Sequence, residues 1–182
     1  MRQLASLTAK TANLDAVFGS SSNDRITKAE QAHVLTGLSD MQLLTIYAIE
    51  LLDRTALLRL KLEIWRWFIM YWCQDNDKDR IPDAIIDTLH DLCFGVVAVI
   101  HHHPHGVLCP CGGDAHCIRC NGTRKQPFSI VDLMDKSGLA RSTLSKKNYR
   151  KYAKIIYQKL HSEHIAAIYH VQHKYTEMKH AS

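Results

Sequence analysis

The chain lacks the features that mark secreted and membrane-spanning proteins. Its first residues, Met-Arg-Gln-Leu-Ala-Ser-Leu-Thr, have no apolar core of a secretory signal. Its most apolar runs, 64–73 and 92–100, are shorter than the ~20 residues that a helix needs to span a bilayer. We therefore expect a soluble, reduced, cytoplasmic protein, in which the six cysteines are free of disulfide bonds.

The alternation of apolar and polar residues that is typical of half-buried strands is also missing, and there is no internal repeat. Apolar residues recur instead at intervals of three and four. At 182 residues and 46% hydrophobic content, the chain has ample material for one packed domain, which excludes wholesale disorder. The sequence predicts an all-α fold.

Helices are predicted from apolar spacing and from start signals such as the Thr27–Glu30 capping box and Pro82. They are a helix that begins near residue 27, followed by 41–52, 56–74 and 83–101. Residues 74–80 carry alternating acids like a Ca²⁺ loop. The glycine and the closing Glu of an EF-hand are missing, so a solvated connection is the better interpretation.

Four cysteines form a compact cluster that reads Cys109-Pro-Cys111 and Cys117-Ile-Arg-Cys120, with glycines inside and just after it. Two close pairs of thiolates across a short loop suit a tetrahedral Zn²⁺ ion, and the glycines permit the tight turns. Four protein ligands leave no open position on the metal, so the zinc is predicted to be structural. Substitution of His116 for one cysteine stays an alternative.

The other two cysteines, Cys73 and Cys93, lie in apolar helical patterns and are predicted to behave as small hydrophobic residues.

Four histidines crowd the segment His101-His-His-Pro-His105. They could ligate a metal or serve a nuclease, but no paired carboxylates lie nearby in the sequence. Pro104 also prevents the helical i, i+4 pairing that His-Glu-x-x-His enzymes use. A helix end that leads into the cysteine cluster is favoured, with the nuclease kept as an alternative. Three histidines on helices are predicted to be surface or boundary residues: His90, His161 and His164.

Acidic residues are absent from 136–160, which contains eight Lys or Arg residues against a net charge of +5 for the whole chain. Ser129 can cap a first helix before this segment, with Asp132 at the third position, where negative charge suits the helix dipole. Gly138 falls where the chain must turn. A second helix is predicted to run unbroken from near residue 141 to about 169. Its predicted buried stripe comprises Leu144, Tyr149, Tyr152, Ile156 and Leu160.

A short helix, a glycine turn and a second helix have the form of a helix-turn-helix, in which the start of the second helix reads base edges and neighbouring cations contact phosphates. On this geometry the residues assigned to the groove are Arg141, Ser142, Thr143 and Lys146. Those assigned to phosphates are Lys147, Arg150 and Lys151. A solvated basic helix or a protein-docking face is the alternative.

These observations predict a helical body with an inserted zinc-binding knuckle and a C-terminal helix-turn-helix. The predicted segments are a weakly structured leader over 1–25, a helical body over 26–105, a zinc knuckle over 106–128, a helix-turn-helix with a long C-terminal helix over 129–172, and a tail over 173–182.

Three stretches between about residues 85 and 172 also carry a family likeness. They are the apolar helix around 89–99, the knuckle Cys117-Ile-Arg-Cys120-Asn-Gly122, and the long helix from Leu144 to His161 with its basic entry. Together they resemble the late-gene antitermination Q proteins of phage lambda and its relatives. The lambda protein spaces its first cysteine pair as Cys-x-x-Cys and separates the pairs by a long insert, whereas this chain has Cys-x-Cys and a short loop.

The resemblance implies a protein that is not an enzyme and that works in the cytoplasm of a bacterial host cell. Such proteins bind double-stranded DNA at a phage late promoter, engage RNA polymerase holoenzyme through sigma, and promote readthrough of pauses and terminators. No membrane partner is expected. The residues themselves favour only DNA binding, so a zinc-containing helix-turn-helix regulator of initiation is the alternative. The DNA site and the oligomeric state stay open.

Overall fold

The structure is a computed structural model that describes residues 28–103, 106–109, 111, 125–126 and 128–181. The predicted Thr27 cap and the 1–25 leader lie outside the described residues. The chain divides into two compact units. One comprises the described residues up to Leu57 and from Ser162 onward, and the other runs from Leu58 to His161.

The prediction of an all-α fold is confirmed, since helices make up nearly all the regular structure among the described residues. The elements are α1 (Lys28–Leu35), α2 (Asp40–Thr45), a π-helical turn (Ile46–Glu50), α3 (Arg54–Asn76), α4 (Asp83–His102), β1 (Val107–Leu108), β2 (Lys125–Gln126), α5 (Ile130–Ser137), α6 (Arg141–Leu144) and α7 (Lys147–Ala181). The long helix α7 extends beyond residue 169, where its end was predicted.

The segment predicted as one helix over 41–52 is an α-helix followed by a π turn. Ser39 caps its start, because its hydroxyl accepts from the Gln42 N–H while the Gln42 side chain accepts from the Ser39 N–H. The Leu51 N–H then donates to the Ile46 carbonyl at 3.2 Å, which is the wider spacing of a π turn.

The first unit is held by an apolar cluster and by a buried polar pair. Ile46 and Ala167 are fully buried against each other, with partly buried leucine and isoleucine side chains around them. His164 was predicted at the surface or boundary, and this was wrong. Its side chain is 3% exposed, and its Nε2 lies 2.6 Å from Oε1 of Glu50. The charged partner compensates the burial of a polar ring.

In the second unit, α3, α4 and α7 each bury one apolar face. The fully buried side chains include Leu60, Ile64 and Phe68 of α3, Leu89, Leu92 and Ile100 of α4, and Ile156 and Leu160 of α7. Burial of each such side chain stabilises the fold by about 1.5–3 kcal/mol relative to exposure. The predicted stripe on α7 is confirmed except at Tyr149, which is only half-buried.

The helix α4 is central to this unit. Pro82 precedes its first residue, where the missing N–H costs no hydrogen bond, as predicted. By length and composition alone α4 could cross a membrane, but its apolar face, from Leu89 to Ile100, is packed in the core. Cys93 is completely buried there, and burial raises the pKa of its thiol. Cys93 therefore behaves as the small hydrophobic residue that was predicted.

Candidate nucleic-acid interface

The first helix of the candidate interface, α5, begins at the predicted cap. The Asp132 N–H donates to the Ser129 hydroxyl at 3.0 Å, and the Ser129 N–H donates back to the Asp132 carboxylate at 3.3 Å. These two bonds satisfy N–H groups that the start of a helix leaves free. The predicted capping by Ser129 is therefore confirmed, and the return bond to Asp132 completes a capping box that was not predicted.

The chain leaves α5 through Gly138, as predicted. Gly138 has a φ of 70°, in the left-handed region, and its N–H donates to the Met134 carbonyl at 2.9 Å. The Ser137 hydroxyl donates to the Leu133 carbonyl and accepts from the Leu139 N–H. These local bonds set the direction in which the basic segment leaves the helix.

The position of α5 is fixed by α4. Leu133 is 2% exposed, and Gly95 of α4 lies directly against Ser137. A Cβ built at position 95 would stand 2.5 Å from the Ser137 Cβ and 2.9 Å from its Cα. The lack of a side chain at Gly95 is therefore what lets the two helices approach.

The second predicted helix is broken. It starts at Arg141 as expected, but α6 ends at Leu144, and α7 begins only at Lys147. The Lys146 N–H donates to the Thr143 carbonyl, three residues back, at 3.1 Å. The α-helical hydrogen-bond pattern is therefore interrupted by a 3₁₀-type bond before α7 begins. Serine at position 145 favours such a break because its hydroxyl competes for backbone groups. Leu144 is buried and anchors the short helix.

The side chains assigned to DNA lie at the surface around this break. Arg141, Ser142, Lys146, Lys147, Arg150 and Lys151 are exposed, and Thr143 is half-buried. The predicted exposure is thus confirmed for all but Thr143, whereas contact with DNA stays a prediction. Among these residues, those that follow the break share a face of α7.

That face contains an open depression of about 560 Å³. It is lined by Ser145, Lys147, Arg150, Lys151, Lys154, Ile155 and Gln158. Ser145, Lys154, Ile155 and Gln158 were not among the predicted site residues. Among them, Lys154, Ile155 and Gln158 each lie four residues after another residue of the depression, and this spacing places residues on one side of a helix. That spacing is the signal that finds them, whereas Ser145 lies in the break before α7. A concave surface with four cations attracts polyanions.

One of these cations already has a partner. Nζ of Lys151 lies 2.7 and 3.0 Å from the two carboxylate oxygens of Asp75, and the Tyr71 hydroxyl donates to the same carboxylate at 3.3 Å. The hydrogen bond from Lys151 lowers the pKa of Asp75, and the same bond raises the pKa of Lys151. The two residues are 76 positions apart, so no sequence pattern links them.

The predicted zinc ligands are described only in part. Cys109 is buried and Cys111 half-buried. Cys117, Cys120 and the alternative ligand His116 lie outside the described residues. In the part of the chain that the structure describes, no three metal-binding side chains come together.

The two strands flank the cysteine-containing segment in the sequence. Val107 pairs with Gln126 and Leu108 with Lys125, in antiparallel register. The zinc knuckle between them stays a prediction.

The histidine cluster lies where α4 ends, as the sequence predicted. The rings of His101 and His102 are 5.3 Å apart, and His103 follows as the last residue before the segment 104–105, which lies outside the described residues. The pKa of His102 is lowered, chiefly by desolvation and next by the charge of Lys136. A lowered pKa keeps this imidazole neutral at pH 7.

Comparison with known protein families, with characterised proteins and with solved structures gives no match to this chain. The resemblance to the Q antiterminators therefore stays a prediction.

Proposed function

We propose that the chain is a DNA-binding transcription antitermination factor, which loads onto RNA polymerase holoenzyme, including sigma, at a phage late promoter and promotes readthrough of pauses and terminators. The observation that carries the DNA part is the basic face of α6 and the first turns of α7, with its depression of about 560 Å³ lined by four cations. Residues 136–160 include no acid of their own. In this proposal α5, the turn at Gly138 and α6 with the start of α7 act as a helix-turn-helix.

The proposed division of labour follows from position. Arg141, Ser142, Thr143 and Lys146 lie on α6 and in the break, where side chains would reach base edges. Lys147, Arg150 and Lys151 lie on the first turns of α7 and would contact phosphates. Lys154 extends this second group along the same depression. Such contacts release counterions, so affinity should fall steeply with salt.

Zinc would have a structural role in this proposal. Cys109, Cys111, Cys117 and Cys120 would hold Zn²⁺ in the segment that leads from α4 to α5. A tetrahedral site with four protein thiolates supplies folding free energy rather than chemistry. The metal would fix the chain between the core helix and the DNA-binding helices.

Antitermination, as distinct from DNA binding, rests on the resemblance to the Q proteins. The same basic face supports a second candidate, a zinc-containing regulator that acts at initiation. Single-round transcription from the late promoter of the source genome, through a downstream intrinsic terminator, separates the two. More readthrough at constant initiation supports antitermination, whereas altered initiation with unchanged termination supports the second candidate.

DNA binding is tested first. Double-stranded sites selected from a random pool are titrated with the full chain by fluorescence anisotropy over a salt series. The double variant Lys146→Ala, Lys147→Ala should weaken binding, and the salt slope should fall by about 1 for each lost phosphate contact. The matched control is Lys78→Ala, which removes an exposed lysine from the loop after α3. Unaltered binding by the double variant would remove this face from the DNA.

A further inference from the structure

The helix α3 carries an apolar stripe on the side that faces away from the core. Leu58 is 62% exposed and Leu62 48% exposed, and half-buried Trp65 and Ile69 continue the stripe. Spacings of four, three and four place these residues along one side of the helix, over roughly 16 Å at 1.5 Å per residue. Exposed Met70 adjoins them. Contiguous apolar surface of this kind marks a contact site.

Charges of opposite sign flank the two edges of the stripe. Along the outer edge, Arg59 and Arg66 of α3 are exposed, and Arg66 forms an ion pair with Glu63 of its own helix at 2.6 Å. About two turns of helix separate the two arginines, so they lie on the same side of α3.

The other edge belongs to α4. Trp65 packs edge-on against His90 with ring centroids 5.3 Å apart, and His90 lies 4.0 Å from Phe94. Lys61 covers the Phe94 ring at 5.4 Å. Beyond these rings, Asp87 and Asp91 are exposed one helical turn apart. Glu63 on the outer edge and Lys61 on the α4 edge each offset one charge, so the surface passes from an edge of net positive charge through the apolar stripe to an edge of net negative charge.

We propose that this surface binds a second copy of the chain, with the two α3 helices side by side and pointing in the same direction. In a dimer whose two-fold axis runs along α3, the basic edge of each copy faces the acidic edge of the other. The leucines of both copies meet at the axis. An antiparallel pairing would set like charges opposite each other, which electrostatic complementarity disfavours.

The self-complementary charges indicate that the partner on this surface is a second copy of the chain. An unrelated partner would need its own acidic and basic edges in matching order, whereas a two-fold axis supplies them automatically. The proposal is independent of DNA binding, because its residues are on α3 and α4 and the basic face is on α6 and α7.

Sedimentation velocity of the full chain over a wide concentration range tests the dimer. The wild-type chain should show a monomer–dimer equilibrium, and Leu62→Glu should raise the dissociation constant at least ~10-fold. Val131→Glu is the matched control, since Val131 is 69% exposed but lies on α5. A wild-type chain that stays monomeric, or a control that dissociates equally, overturns the proposal.

Charge reversal tests whether the charged edges hold the dimer together. One variant carries Arg59→Glu and Arg66→Glu, and another carries Asp87→Lys and Asp91→Lys. Each alone should be monomeric, because both of its edges then have the same sign. An equimolar mixture should form a heterodimer, which also shows that both variants are folded. A mixture that stays monomeric, or a single variant that dimerises like the wild-type chain, overturns the proposal.

Discussion

Gly95 of α4 and Ser137 of α5 approach so closely that no side chain fits at position 95. The nearest atoms to an added Cβ include the backbone N and Cα of Ser137, at 3.0 and 2.9 Å, which a rotamer change cannot move. The contact fixes the first helix of the candidate interface on the core helix. Packing at this one position therefore bears on both stability and binding.

Gly95→Ala should lower the free energy of unfolding by about 1–3 kcal/mol through overpacking. Alanine in place of a helical glycine would by itself stabilise the protein by ~1 kcal/mol through helix propensity. The sign of the change in the free energy of unfolding therefore shows whether overpacking or helix propensity dominates. Urea unfolding measures it. The control is the same substitution in a Ser137→Gly background, where the cost should be smaller. A stabilised Gly95→Ala protein would mean that the helices do not meet there.

Glu50→Ala should destabilise the protein by about 1–3 kcal/mol, because it leaves the buried His164 ring without its carboxylate partner. The matched control is Glu63→Ala. Glu63 also forms an ion pair, with Arg66 at 2.6 Å, but both side chains of that pair are exposed. The free energy of unfolding should therefore change by no more than ~0.5 kcal/mol. Equal losses of stability from the two substitutions would show that the Glu50–His164 pair stabilises the protein no more than an exposed pair does.

Asp75→Asn should strengthen DNA binding a few-fold, because Asp75 competes with phosphate for the Lys151 ammonium. The pKa of Asp75 is lowered, so its stabilising pair with Lys151 is fully present at neutral pH and is lost only as the pH falls through that lowered pKa. At neutral pH the carboxylate thus always opposes the anion. Anisotropy titrations at fixed salt measure the change.

The control for this prediction is Asp79→Asn, which removes an exposed carboxylate from the loop after α3. It should change affinity less than Asp75→Asn does. Equal gains would indicate a general effect of net charge instead of local competition.

Cys117→Ser should abolish bound zinc and the folded state together, because a structural site loses a ligand. Metal content by mass spectrometry and helicity by circular dichroism measure the two. Cys73→Ser, at a half-buried position on α3, should retain the metal. A stable, folded and metal-free Cys117→Ser chain would contradict a structural role for zinc.

The sequence predicted those features that depend on neighbouring residues. Ser39, Ser129 and Gly138 are local signals, since a cap or a turn is set by residues three or four positions away. The buried stripe of α7 was predictable for a similar reason, because one apolar face must meet the core.

The features that were missed depend on partners far along the chain. The Asp75–Lys151 pair spans 76 positions and the Glu50–His164 pair spans 114, so only the tertiary fold reveals them. The break at Ser145 lies in the five-residue interval between Leu144 and Tyr149, and it was missed because one wider interval was interpreted as part of a continuous helix. Periodicity measures which face is buried and is insensitive to a single displaced hydrogen bond.

The π turn at Ile46–Glu50 affects which side of the helix the residues after it occupy. It fits one more residue into a turn than an α-helix does, and each residue of a helix rotates the next by about 100°. Because the wide turn absorbs this residue, its loss would restore a regular ladder and leave Glu50 on nearly the same side of its helix, still facing His164. A residue gained there would instead rotate Glu50 by about 100° away from His164. In this region the fold should therefore tolerate a shorter chain better than a longer one.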